Sequence, residues 1–174
     1  MPTAGSRVRH FLNLVGFGFD IAVIDAAAGA RFLRGEALYK ITALQQLFRF
    51  PGIQAEILRS EETVGQGRHL MVTISNSPYF GGGLPIAPRA KVEDGLLHAC
   101  MIGDAAPFRR MKLFGDAGKG RHVDSDEVKV VDGPRFTAQF ESPVRFEADG
   151  DVFAIEGMEL SVEILPGALE VLGG

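Results

Sequence analysis

This chain predicts a mainly β fold of the α+β class, an antiparallel β-sandwich-like assembly with about three helices attached. Three observations carry that expectation. The second half is a string of short β-rich runs separated by Gly, Pro or Asp. The first half holds two stretches whose apolar residues recur at helical spacing. A long Gly- and Pro-punctuated connection, residues 76–97, joins two strand-like runs, and its Tyr79, Phe80, Leu84 and Ile86 argue for an ordered, functional loop rather than a disordered one. With 174 residues and 46% hydrophobic composition, the chain is expected to be a single domain, 1–174, able to bury one core.

Residues 10–18 form a short aromatic and branched run ending in glycine, which reads as a buried strand closed by a turn. Ile21, Ile24, Ala28 and Phe32 then repeat at helical spacing, with Asp20 placed as an N-cap or first-turn acid. After Gly35, the stripe Leu38, Ile41, Leu44, Leu47 and Phe48 predicts a second helix that Pro51 and Gly52 close. Strands are expected over 53–58 and 70–75 around a polar loop containing Gly65 and Gly67, and again over 96–102. A short amphipathic helix over 108–114 precedes five further strand-like runs, 128–131, 136–140, 144–147, 160–164 and 168–172.

Composition removes several function classes. A formal net charge of -4 without a clustered basic face gives no support for a nucleic-acid partner. Cys100 is the only cysteine, so no intrachain disulfide can form and a cytoplasmic location is expected. Its neighbours Ala99 and Met101 supply nothing to activate a thiol, which reads as a small core residue. Neither a signal-peptide core nor a run of about 18 apolar residues occurs.

Candidate sites number five. Gly16 and Gly18 resemble the start of a dinucleotide fingerprint, but Ile21 stands where its third glycine would be, so a tight strand-to-helix turn is the better reading. Asp20 is either a helix cap or a polar contact to substrate. Gly81–Gly83 leaves backbone N–H groups unshielded and could cradle an anion, although no P-loop lysine follows. Glu93, Asp94 and Gly95 form an ordinary turn or an oxygen site for a hard cation such as Mg²⁺. Glu147, Asp149 and Asp151 are either solvated carboxylates or include a general base toward a hydroxyl. His10, His69, His98 and His122 match no zinc spacing, and no Gly-x-Ser-x-Gly elbow is present.

Five segments, FLNLVGFGFD at 11–20, NSPYFGGG at 76–83, APRAKVEDGLL at 87–97, GRH at 120–122 and EADGD at 147–151, occur in the order and spacing of the bacterial diacylglycerol kinase and sphingosine kinase-like lipid kinases. The chain resembles the C-terminal domain of that family from about Arg9 to Leu172. The resemblance implies ATP-dependent phosphorylation of the hydroxyl of diacylglycerol or a related lipid. It implies Mg²⁺ held by Asp94 with the backbone carbonyls of Lys91 and Leu96, a general base at Asp151 where the family has Glu, and a lipid headgroup contact at Asp20. The family's Gly-Gly-Asp-Gly-Thr nucleotide loop does not occur here. ATP is therefore expected to be bound mainly by an N-terminal nucleotide-binding domain acting in cis or in trans, and the isolated chain is expected to be inactive. Transient contact with the inner membrane face follows from the substrate class. Arg49, Arg109, Arg110, Lys112, Lys119 and Arg121 are the cations that could meet anionic headgroups there. Homo-oligomerisation stays open, and a non-catalytic lipid-binding or partner-docking module of the same fold is the alternative.

Overall fold

The computed structural model describes residues 8–29, 36–81, 83–155 and 157–170, and among these all side chains except those of 27–29 and 36–42. The expected positions Phe32 and Gly35, the side chains of Ala28, Leu38 and Ile41, and residues 171–172 lie outside this description. The chain opens with strand β1, Leu14–Gly18, and turns directly into helix α1, Phe19–Gly29, followed by α2, Glu36–Arg49. The turn requires Gly18, whose φ is +106° and whose missing Cβ would run into the Leu70 carbonyl. Strands β2, Ile53–Arg59, β3, Glu62–Ser75, and β4, Leu97–Gly103, come next, then helix α3, Pro107–Ala117, and a short 3-10 turn at His122–Asp124. The chain continues through β5, Val128–Gly133, β6, Arg135–Phe140, β7, Arg145–Ala148, β8, Asp151–Ala154, and β9, Glu159–Glu163.

These strands make one curled antiparallel sheet in the order β8-β7-β1-β3-β2-β6-β9, with β4 also on β3 and β5 beyond it. The 14-residue β3 makes the curl: its first half pairs with β2, and its second half pairs with β1 on one side and β4 on the other. Inside the curl, Val15, Phe17, Ile57, Val72, Ile74, Phe136 and Phe146 form an apolar core. The helices close over the opposite face, where Phe19, Val23, Leu47 and Leu113 pack against Leu14, Met71, Cys100 and Ile102. Every residue of β1 is buried because the strand is covered on both faces. Buried Arg110 ties α3 to the end of α2, donating to the carbonyls of Leu47 (3.0 Å) and Phe50 (2.7 Å) and to Asp104.

The architecture expected from the sequence is present, with local differences. The polar stretch 62–70 is strand rather than loop. The turn sits at Ser60 and Glu61, and a bulge between Ile57 and Leu58, with Gly67 at φ +116°, absorbs the irregularity that glycines signal. Strand β8, which the sequence reading passed over, pairs with β7. Ala168, expected in a terminal strand, lies outside any strand and donates to the Leu165 carbonyl. No described helix is long and apolar enough to cross a membrane.

Candidate functional site

The site starts from a residue with no side chain. Gly16, in the middle of β1, faces the helix side, with Glu147 of β7 opposite it on one flank and Thr73 of β3 on the other. A Cβ on Gly16 would collide with Asp20 Oδ2 and lie 3.2 Å from Glu147 Oε1. Glycine is thus what allows the two carboxylates to converge. Asp20 is the second residue of α1, only 2% exposed, and neither of its oxygens has a hydrogen-bonding partner. It is therefore no conventional cap.

Burial pushes the Asp20 carboxyl up to about 7, with the nearby Glu147 carboxylate adding to the rise and the Ile21 N–H at the helix start offsetting part of it. Glu147, 4% exposed, is likewise raised to about 7 by burial and by Asp149. The reading of Glu147 and Asp149 as two solvated carboxylates fails for Glu147 and holds for Asp149, which is exposed although hydrogen-bonded. Glu147 is buried. Asp149, at φ +51°, accepts from the N–H groups of Leu12 (2.6 Å), Asn13 (2.9 Å) and Leu14 (3.1 Å), clasping the chain that enters β1. Asp151 is exposed and pairs with Ala148 at the start of β8, which puts it on the sheet face opposite Glu147.

Asp20 lines a cavity of about 310 Å³ whose other walls are mainly apolar, among them Phe19, Leu47, Leu84, Leu113 and Phe114. Gly81 and Gly83 also border it. Next to them the Phe80 and Leu84 backbones form a small bridge, exchanging hydrogen bonds of 2.7 and 2.8 Å. His122, fully buried, holds the loop from below through Nε2, 3.1 Å from the Ile86 carbonyl. The same nitrogen is 3.8 Å from Cys100 Sγ, but burial pushes that thiol up to about 12, so Cys100 is a core residue and no nucleophile.

The Asp94 turn lies further along the same connection. Asp94 Oδ1 accepts the Leu96 N–H at 2.9 Å, and Oδ2 is 3.7 Å from Nε2 of buried His98. Asp94 keeps lone pairs on Oδ2, and the Lys91 carbonyl is only weakly engaged, by the Asp94 N–H at 3.4 Å. One carboxylate with turn carbonyls and water suits Mg²⁺, which takes few protein ligands. The residues present fit that ion. Among the described residues no cluster of three His, Cys, Asp or Glu side chains forms a fuller cage.

Of the six cations expected to face headgroups, three are otherwise engaged. Arg110 is the α2–α3 tie, Arg109 forms a two-pronged pair with Glu127 (2.6 and 2.7 Å), and Arg121 sits 3.4 Å from Asp116. Arg49, Lys112 and Lys119 are exposed. Arg49 follows Phe48 at the end of α2 and Lys112 stands one turn from Phe108 on α3, beside an outward aromatic surface in which Phe108, 80% exposed, stacks edge-on with exposed Phe48 at 6.0 Å between ring centres. Leu44 is exposed and Leu47 buried, so the apolar stripe of α2 is divided between surface and core.

A curled antiparallel sheet with helices over one face, and a mainly apolar cavity with one buried acid, Asp20, at its wall, defines a β-sandwich-like architecture. The family model described as the YegS C-terminal NAD kinase beta sandwich-like domain matches residues 13–173, and the chain belongs to that family. A protein named diacylglycerol kinase from Mycobacterium tuberculosis (strain ATCC 25618 / H37Rv) is 32% identical over 167 residues, covering 94% of this chain and 52% of that protein. A protein named probable lipid kinase YegS-like from Chromohalobacter salexigens is 24% identical over 161 residues, covering 92% and 51%. The crystal structure of a diacylglycerol kinase from Bacillus anthracis str. Sterne shares the fold, with a TM-score of 0.62 at 19% identity over 91% of this chain and 48% of that one. The chain spans about half the length of the curated relatives it matches.

Proposed function

We propose that this chain is the substrate-binding half of an ATP-dependent lipid kinase acting on the hydroxyl of diacylglycerol or a related lipid. The observation that carries this reading is the cavity, a mainly apolar space the size of a lipid-tail segment with a buried carboxylate, Asp20, at its wall. Family membership supports it. Asp20 contacts the headgroup, the cavity takes acyl chain, and the Gly81–Gly83 loop borders the cleft into which a nucleotide-binding domain, in cis or in trans, brings ATP.

The chemistry is in-line attack of the lipid hydroxyl oxygen on the γ-phosphorus. The new O–P bond forms as the bond to the ADP oxygen breaks, and the hydroxyl proton passes to a carboxylate, assigned by its place in the family motif to exposed Asp151, which stands on the sheet face away from Asp20. Asp94 with the carbonyls of Lys91 and Leu96 would hold Mg²⁺, which would help position the two domains. The outward Phe48 and Phe108, flanked by Arg49 and Lys112, provide peripheral contact with an anionic membrane surface from the cytoplasmic side.

Mixing the chain with a nucleotide-binding domain from a relative, ATP, Mg²⁺ and diacylglycerol micelles should yield phosphatidate, and the chain alone should yield none. Asp151→Asn should slow the reaction by about 10²- to 10⁴-fold, the usual contribution of a general base. Equal rates with and without the substitution would remove Asp151 from that role. If no product forms with a competent nucleotide domain while lipid still binds, the chain is a lipid-binding module.

A further inference from the structure

We propose that Glu147 is a positioning residue of the headgroup site: across the gap at Gly16 it shares one proton with Asp20, so that the pair receives a neutral hydroxyl headgroup rather than a cationic or anionic one. The proposal rests on the reading of Asp20 as headgroup contact. Asp20 is the one of the pair that lines the cavity, and behind it the geometry is a polar gap over Gly16 on an otherwise apolar face. Asp20 roofs it from α1, Glu147 flanks it from β7, and Thr73, fully buried with its hydroxyl unpartnered, flanks it from β3. Asp20 projects its unpartnered oxygens from more than nine-tenths burial into the cavity wall.

Among the described residues, no cation is paired with either acid. On β7, Arg145 is paired with Asp25 of α1 at the exposed end of the strand. Past β7, Asp149 is occupied by three backbone N–H groups, and Asp151 of β8 lies on the other face. Strand β1 brings no titratable side chain, and β3 brings the hydroxyls of Thr73 and Ser75. Among the described residues, the groups that act on the two acids are backbone N–H groups and other carboxylates. Glu147 adds to the rise of Asp20, while the rise of Glu147 itself comes from burial and from Asp149; two buried carboxylates that face one gap disfavour double ionisation.

A singly protonated pair offers one hydrogen and several lone pairs, which a neutral hydroxyl can match by both accepting and donating. An ammonium would expel the shared proton. A phosphate monoester, the product of the proposed reaction, would meet acceptor oxygens and be repelled. Gly16 and Glu147 together, not Asp20 alone, thereby set the headgroup class.

The test is carboxyl-carbon NMR on the full chain labelled at Asp and Glu, followed from pH 4 to 9. Asp20 and Glu147 should titrate in two coupled steps. Glu147→Gln should strengthen Asp20 as an acid by about tenfold or more, one pH unit, and Asp20→Asn should do the same to Glu147, so either variant suffices if the other does not fold. Dioctanoylglycerol should move both resonances, and decylamine should not. Independent titrations unaffected by either amide overturn the pair, even if dioctanoylglycerol still moves Asp20. Coupled titrations that dioctanoylglycerol leaves untouched overturn the headgroup role and the reading of Asp20 beneath it. A preference for decylamine overturns the hydroxyl class.

Discussion

The two faces of the curled sheet are made by the same strands and obey opposite chemistry. On the inner face Phe17, Val72, Ile74 and Phe136 are fully buried against one another, and Phe17 stacks on Phe140 at 5.2 Å and Phe146 at 6.2 Å. One residue along each strand, on the helix face, stand Gly16, Thr73, Ser75 and Glu147. The side-chain atoms that are buried without a partner, those of Asp20, Thr73, Ser75, His98 and His122, come from that face or from the elements covering it. Such groups cost free energy in a folded chain. A fold that concentrates them on one side of a sheet weakens that side, while the other side supplies the stability.

The largest effect should therefore come from the inner face. Phe17→Ala should destabilise the chain by about 3–5 kcal/mol, as expected for truncating a buried aromatic, measured by denaturant unfolding. The matching change one strand over and on the other face, Thr73→Val, exchanges an unpartnered hydroxyl for a methyl. It should leave stability unchanged or raise it by up to about 1 kcal/mol. If Thr73→Val costs as much as Phe17→Ala, the division of labour between the faces is wrong.

A smaller effect should appear with pH. Asp20 and Glu147 have ordinary carboxyl values of 3.8 and 4.5 and stand near 7 in the folded chain, so the folded state holds protons that the unfolded state releases. Their favourable contribution is complete below about pH 4, is lost as pH rises toward 7, and changes little beyond. Glu127, lowered to about 2 by Arg109, has the opposite sign, and its window lies below 4.5. The melting temperature should therefore fall between pH 5 and 7.5, and Asp20→Asn should flatten that slope whatever it does to the absolute value. An unchanged slope would mean that these acids do not carry the charge chemistry of the helix face.

The same contrast explains what the sequence let one read. The inner face was legible: alternation and β-branched residues in 53–58, 70–75 and 136–140 announce strands, and the run 96–102 is apolar except for His98 because both its faces are covered. Ordered motifs carried the family. The site was less legible. Glu147 lies two residues from Asp149 at identical strand phase, so spacing alone made them equivalent. One is buried by α1, and the other is drawn into the N–H groups of residues 12–14, and only the three-dimensional crossing of β1 with β7 separates them. One signal was available. Gly16 inside an otherwise bulky strand marks a close approach, and it was read only as part of a turn. Gly65 and Gly67 misled in the other direction, because glycine and polar residues inside a long, bulged strand look like a loop.

The smallest effect concerns where the apolar order reverses again, on the outside of the helices. Buried Leu47 and Leu113 point from α2 and α3 to the sheet, while Phe48 and Phe108 point away from it and meet each other. Solvent gains nothing from that pair. A bilayer interface does, since an aromatic side chain contributes about 1.5–3 kcal/mol on full burial and only part of that at a membrane surface. Phe108→Ser should weaken sedimentation of the chain with phosphatidylglycerol vesicles by about 5- to 10-fold, an estimate for partial loss of that burial, with the melting temperature unchanged. Lys112→Glu should weaken it less and only at low salt, because an exposed cation acts through a screened field. Binding insensitive to Phe108→Ser would assign the aromatic pair to a protein surface instead, and the helix layer would then have two protein-facing sides rather than one facing the sheet and one facing lipid.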